Sequence, residues 1–193
     1  MVEVQPIPVE LETPRLSETS GASGPEAERF MDTARPFIEP VGVFDEMAPD
    51  GILPPELTAM DWGPTVMAGL IVFTNTAVLP DPENRLWRPL LTLAAEQALA
   101  FLEYRVRLYL KPDHRRPSER LIPGCPALPL SVNAAIWRHF HPDHTHGLDL
   151  MPDGRFCGRE GVAFLYPTSE LVFRSKCDAC TLAGCPSRQG WSS

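Results

Sequence analysis

The sequence predicts an α+β protein. It reads as one small domain with a long central helix, a C-terminal β-hairpin and cysteine metal module, and an extended Pro-rich N-terminal arm. Three observations lead there. Apolar residues recur at helical spacing from Pro89 to Leu110. Short apolar runs bounded by turn residues occupy 149–174. Prolines interrupt the first sixty residues so often that regular structure there is short. The expected division is a 1–60 arm with a short helix, a mainly helical core over 61–147, and a hairpin and cysteine module over 148–193. A chain of 193 residues suffices for one such core with an extension.

Charge follows the same division. Residues 1–60 carry 12 acidic and 3 basic side chains, whereas 61–193 carry 13 and 14. The formal charge of −8 therefore belongs to the arm, and the core is nearly neutral. Residues 1–24 lack sustained periodicity. The alternation Val2, Val4, then Ile7, Val9, Leu11 suits an extended strand on a sheet edge, lying along the chain's own core or a partner. Ser23 or Gly24 caps a short helix with Pro25 in its first turn, an apolar stripe of Phe30, Met31 and Ala34, and a stop at Pro36. From Pro36 to Pro64 the chain reads as wrapping, with one helical turn at 55–60.

The run Val66–Phe73 is buried whatever its form, since period alone does not separate a central strand from a buried helix. Asp81 is the expected cap of the long helix, with Pro82 and Glu83 in its first turn and Pro89 marking a kink or second start. Leu91, Ala94, Ala95, Ala98, Leu99, Leu102, Val106 and Tyr109 form its apolar face, and Glu103–Arg107 pair one turn apart on the other. Ser131 is expected to cap a helix over 132–140 that Pro142 stops. Asp149–Cys157 reads as a hairpin turning at Pro152-Asp153-Gly154. Strands at 162–166 and 171–174 flank Pro167–Glu170.

The chemistry concentrates in the last third. C-x2-C-x4-C-P at Cys177, Cys180 and Cys185 directs three sulfurs at one centre, and Cys157 is the expected fourth ligand, with Cys125 in reserve. Zinc folds usually take two C-x2-C pairs. One cysteine plus three with a trailing proline is closer to iron–sulfur ligation, so the expected cofactor is a [4Fe–4S] cluster or Zn2+. The spacing also resembles the structural cluster of RecB-type nucleases, although no acidic and lysine active-site set accompanies it here.

His139-Phe140-His141-Pro142-Asp143-His144 fits H-x-H-x-D-H and locally resembles metallo-β-lactamase-type hydrolases. That family implies two zinc ions held by these side chains and by further His and Asp downstream. Here a helix precedes the motif and the sole later histidine is His146. His139, His141, Asp143, His144 and His146 therefore stand as reserve metal ligands or a proton-transfer set. The competing reading is a turn in which histidines sit at the negative end of a helix.

Lys111, His114, Arg115, Arg116 and Arg120 form a basic connection. It reads as a solvated loop or, alternatively, a nucleic-acid contact, with no interleaved aromatic to stack a base. The first residues show no basic start and apolar run of a signal peptide, and no stretch is long enough to span a bilayer. With closely spaced cysteines, this leads us to expect a cytoplasmic or other reducing intracellular setting and no membrane partner. The function expected is a structural or interaction subunit of a larger assembly, stapled by a cysteine-held metal, whose 1–60 arm wraps a protein partner. The alternative is a metal-dependent enzyme or redox subunit using the cysteine or histidine cluster.

Overall fold

Eight consecutive residues from Val66 to Phe73 are all buried and form the central strand of an antiparallel sheet. Such a run, apolar on both faces, is what a strand covered from both sides requires. The computed structural model describes residues 1–58, 62–142 and 146–170.

In chain order the elements are β1 (Val2–Val4), α1 (Thr13–Ser20), α2 (Gly24–Ala34), β2 (Pro40–Met47), α3 (Pro55–Thr58), β3 (Val66–Phe73), α4 (Trp87–Leu110), β4 (Arg115–Pro117), α5 (Val132–Phe140), β5 (Asp149–Leu150), β6 (Phe156–Cys157) and β7 (Glu160–Glu170). The main sheet runs β1-β2-β3-β7-β4, with every neighbour antiparallel; β5 and β6 make a separate hairpin.

Side-chain alternation splits the sheet into two cores. Phe44, Met67, Ile71, Phe73, Phe164 and Tyr166 face α1, α2 and α4. Val43, Val66, Ala68, Leu70, Val72, Ala163 and Leu165 face α5 and the segments around Ile52, Trp62, Leu128 and Leu148. Helices thus cover both faces of an antiparallel sheet. Two glycines set the helix-side spacing. A Cβ on Gly69 would stand 2.1 Å from the Phe164 ring of the paired strand, and one on Gly42 would stand 2.6 Å from Leu102 of α4. The missing side chains make room for Phe164 and α4.

Residues 1–58 are built into this domain. Val2–Val4 pair with Gly42–Phe44 as an edge strand, β2 pairs with β3 along its length, and Leu11, Leu16, Ala27, Met31 and Ala34 are buried in the helix-side core. The segment expected to wrap a partner lies along the chain's own core. Its prolines mark short elements: Pro14 and Pro25 stand in the first turns of α1 and α2, where a missing N–H costs nothing. The section expected to be mainly helical carries the central strand.

The 24 residues of α4 span about 36 Å. The helix begins at Trp87. Asp81 does not cap it but stands at φ 51 in a preceding turn, where its carbonyl accepts Asn84 N–H at 3.0 Å; Pro89 falls in the helix's first turn. Leu90, Leu93 and Leu110 join the expected core face, while Tyr109 stays exposed with its ring edge-on to Phe44. The α5 helix has the expected bounds and ends at His141 in the left-handed conformation. Met151 and Arg155 close the β5–β6 hairpin, with Gly154 at φ 85 in its turn. β7 continues through Pro167 as one strand, and the strand expected at 171–174 lies outside the described residues. Among the described residues, no helix is long and apolar enough to cross a membrane.

Candidate functional site

The histidine turn opens where α5 stops. His141 takes φ 49, and its N–H caps the helix on the Trp137 carbonyl at 2.9 Å. Two residues back, His139 meets a partner 94 positions earlier: its Nε2 lies 2.9 Å from Oδ2 of Asp45 on β2. The other Asp45 oxygen holds the Met1 ammonium at 2.8 Å. Burial pushes the Asp45 carboxyl upward, but these two hydrogen bonds outweigh it and hold the group below its usual range.

His146 is buried instead against a cleft of about 900 Å³ lined also by Glu3, Ile38, Glu39 and Arg159. Desolvation lowers its pKa, with Glu3 opposing and Arg159 reinforcing the shift. The two histidines therefore have separate environments, one tied to a carboxylate and one facing a cleft. Asp143 and His144 lie outside the described residues. Among the described residues, no three His, Cys, Asp or Glu side chains gather as a metal site.

Cys157 sits on β6 opposite Asp149, and Cys125 lies in the loop after the Leu121–Leu165 bridge; both are half-buried free thiols. Cys177, Cys180 and Cys185 lie outside the described residues.

The basic connection divides in the same way. Arg115 is not a solvated loop residue. Its guanidinium grips both oxygens of Glu46, Nη1 on Oε1 and Nη2 on Oε2 at 3.0 Å. It also donates to Thr65 Oγ1 at 2.9 Å and Asp113 Oδ2 at 3.0 Å. Arg120 turns toward Tyr166, whose buried hydroxyl is pushed up to about 12 by desolvation and by Glu103. Lys111 and Arg116 remain exposed. Arg115 is thus committed inside the protein and leaves the candidate nucleic-acid set. Neither Asp45 nor Glu46 was legible as a partner, because an acidic pair ending an apolar strand carries no sign of what lies opposite.

The other large depression, about 920 Å³, runs between the first half of α4 and the start of β7. Leu91, Leu99 and Val162 line it, with Arg88, Arg120 and Glu160 among its polar residues. In comparisons with known proteins, the chain matches no family model and no curated protein.

Proposed function

We propose that this protein is a non-catalytic binding subunit: an α+β domain stapled by one metal centre that Cys177, Cys180 and Cys185 hold with a fourth cysteine from the folded part. The observation that carries this reading is the C-x2-C-x4-C-P run following a domain that keeps two further thiols free, Cys125 and Cys157. Thiolate sulfur at this spacing suits Zn2+ or a [4Fe–4S] cluster. In either, a closed set of four cysteines leaves the metal no open position for substrate and makes it a support for the chain. Contact with protein partners falls to the folded surface, because residues 1–58 contribute β1, β2 and two helices to the core.

Anaerobic purification followed by metal analysis and a visible spectrum tests the proposal. One zinc per chain, or brown protein absorbing near ~400 nm as iron–sulfur centres do, supports it. Metal-free protein of undiminished stability overturns it. Cys125→Ala and Cys157→Ala, prepared separately, identify the fourth ligand as the one whose loss releases metal. Nucleic-acid binding through Lys111, Arg116 and Arg120 is the weaker reading, since Arg115 is already engaged.

A further inference from the structure

Most of α4 is covered, but its second half turns an apolar row outward. Tyr104 is 58% and Leu108 45% exposed, one turn apart, with half-buried Phe101 beside them. Helical geometry puts Phe101, Tyr104, Leu108 and Lys111 on one stripe, with Glu96 at its margin toward the helix N-terminus. The charges along this stripe are polarised. On the C-terminal side of Tyr104 stand Arg105, Arg107 and Lys111. Toward the other end stand Glu96 and, on the segment that Gln97 pins to the helix, Glu10 and Glu12. Arg107 is satisfied within the chain by Glu103 at 2.6 Å. Lys111 has no ion pair among the described residues, and Glu96 has one distant contact, Arg15 at 4.0 Å.

We propose that this stripe is the interface of a two-fold dimer, in which α4 packs antiparallel against α4 of a second copy around Tyr104. The register argues for a copy of this chain over an unrelated partner. Lys111 lies seven residues beyond Tyr104, about 10 Å along the axis, and Glu96 eight residues before it, about 12 Å. A two-fold through Tyr104 therefore brings the basic end of each helix to the acidic end of the other. It sets Lys111 against Glu96, and Leu108 against Phe101, on the same side of the helix pair. Tyr104 stacks on its own symmetry mate. An interface of this kind is isologous, each contact occurring twice, so one self-complementary stripe is sufficient. The proposal does not depend on the metal centre, and its test leaves the cysteines untouched.

Sedimentation velocity of the intact protein across micromolar concentrations tests it. The expected result is a concentration-dependent dimer, weakened by salt as its charge pairing requires. Tyr104→Glu is expected to weaken association roughly 100-fold, as replacement of a central aromatic does, with an unchanged circular dichroism spectrum. Leu108→Gln serves as a milder second variant should Tyr104→Glu disturb folding. Lys111→Glu is expected to weaken the dimer about tenfold, and the double variant Lys111→Glu/Glu96→Lys to restore it. A wild-type monomer at every concentration, as expected if the face serves another partner, overturns the proposal. Association unaffected by the folded Tyr104 and Leu108 variants does the same. Failure of the charge swap to restore a dimer weakened by Lys111→Glu overturns this register.

Discussion

Arg115, on the edge strand β4, holds both carboxylate oxygens of Glu46 on β2, three strands away in the sheet order. It reaches Glu46 past the beginning of β3, where Thr65 accepts a further hydrogen bond. The outermost strand is thereby tied to the far side of the sheet by one side chain. With side-chain exposures of 15% and 22%, the pair is sheltered enough to matter energetically. Arg115→Ala leaves Glu46 as a half-buried charge without its partner. It should cost about 2–3 kcal/mol in urea denaturation. Arg115→Lys should recover only part of this, because one ammonium does not reproduce a two-pronged grip.

The same pair sets an acid dependence. Arg115 hydrogen bonding lowers the Glu46 pKa below its ordinary 4.5, against the opposing effect of burial. A depressed carboxyl contributes stability that is fully present above its unfolded value and disappears as pH falls through its folded one. Thermal stability measured between neutrality and strongly acid pH should therefore fall below about pH 4.5. In Glu46→Gln this part of the slope should vanish, with lower stability already at neutrality.

Gly69 and Phe164 form a second tight relationship. The Phe164 ring occupies the space above Gly69 across the β3–β7 pair. Gly69→Ala places a methyl group into that ring, in a core without slack. It should cost about 3 kcal/mol by chemical denaturation. Phe164→Leu combined with Gly69→Ala should cost less than the sum of the two single changes, because loss of the Phe164 ring removes the clash.

If the cysteines hold a metal as proposed, removing it removes folding energy. Prolonged chelation should lower the midpoint of thermal unfolding by several degrees, and readdition of the same metal under reducing conditions should restore it. Cys180→Ala should show the lower midpoint at once and no further response to chelator. Equal midpoints with and without chelator, in protein shown to have lost its metal, would sink the staple.

The sequence reveals elements whose signals are local. The α5 bounds match those read from Ser131 and Pro142, although the Ser131 side chain makes no capping hydrogen bond, and the β5–β6 turn follows from Pro152-Asp153-Gly154, which act through neighbouring backbone. The N-terminal region was harder to read. The Val2, Val4 alternation did show the edge strand β1, but in α1 a single residue, Leu16, is buried, so that helix displays no period. Val66–Phe73 was ambiguous because both its faces are covered, which erases alternation. The Asp45–His139 and Glu46–Arg115 pairs join residues 94 and 69 positions apart, distances over which pattern carries no information. The histidine motif illustrates the other side of that limit. Its residues adjoin in sequence, yet the end of α5 sends His139 to a carboxylate and His146 to a cleft.

The central place of β3 also orders events during synthesis. Its two hydrogen-bonding edges are completed at very different times, by β2 before it and by β7, which begins at Glu160. Until β7 leaves the ribosome, β3 carries eight apolar residues with one backbone edge open, the kind of edge that recruits other strands. In that interval α4 is already available to cover one face, while the Arg115 latch has no strand to fasten. The newborn chain must keep an unfinished sheet from its neighbours for nearly ninety residues of growth.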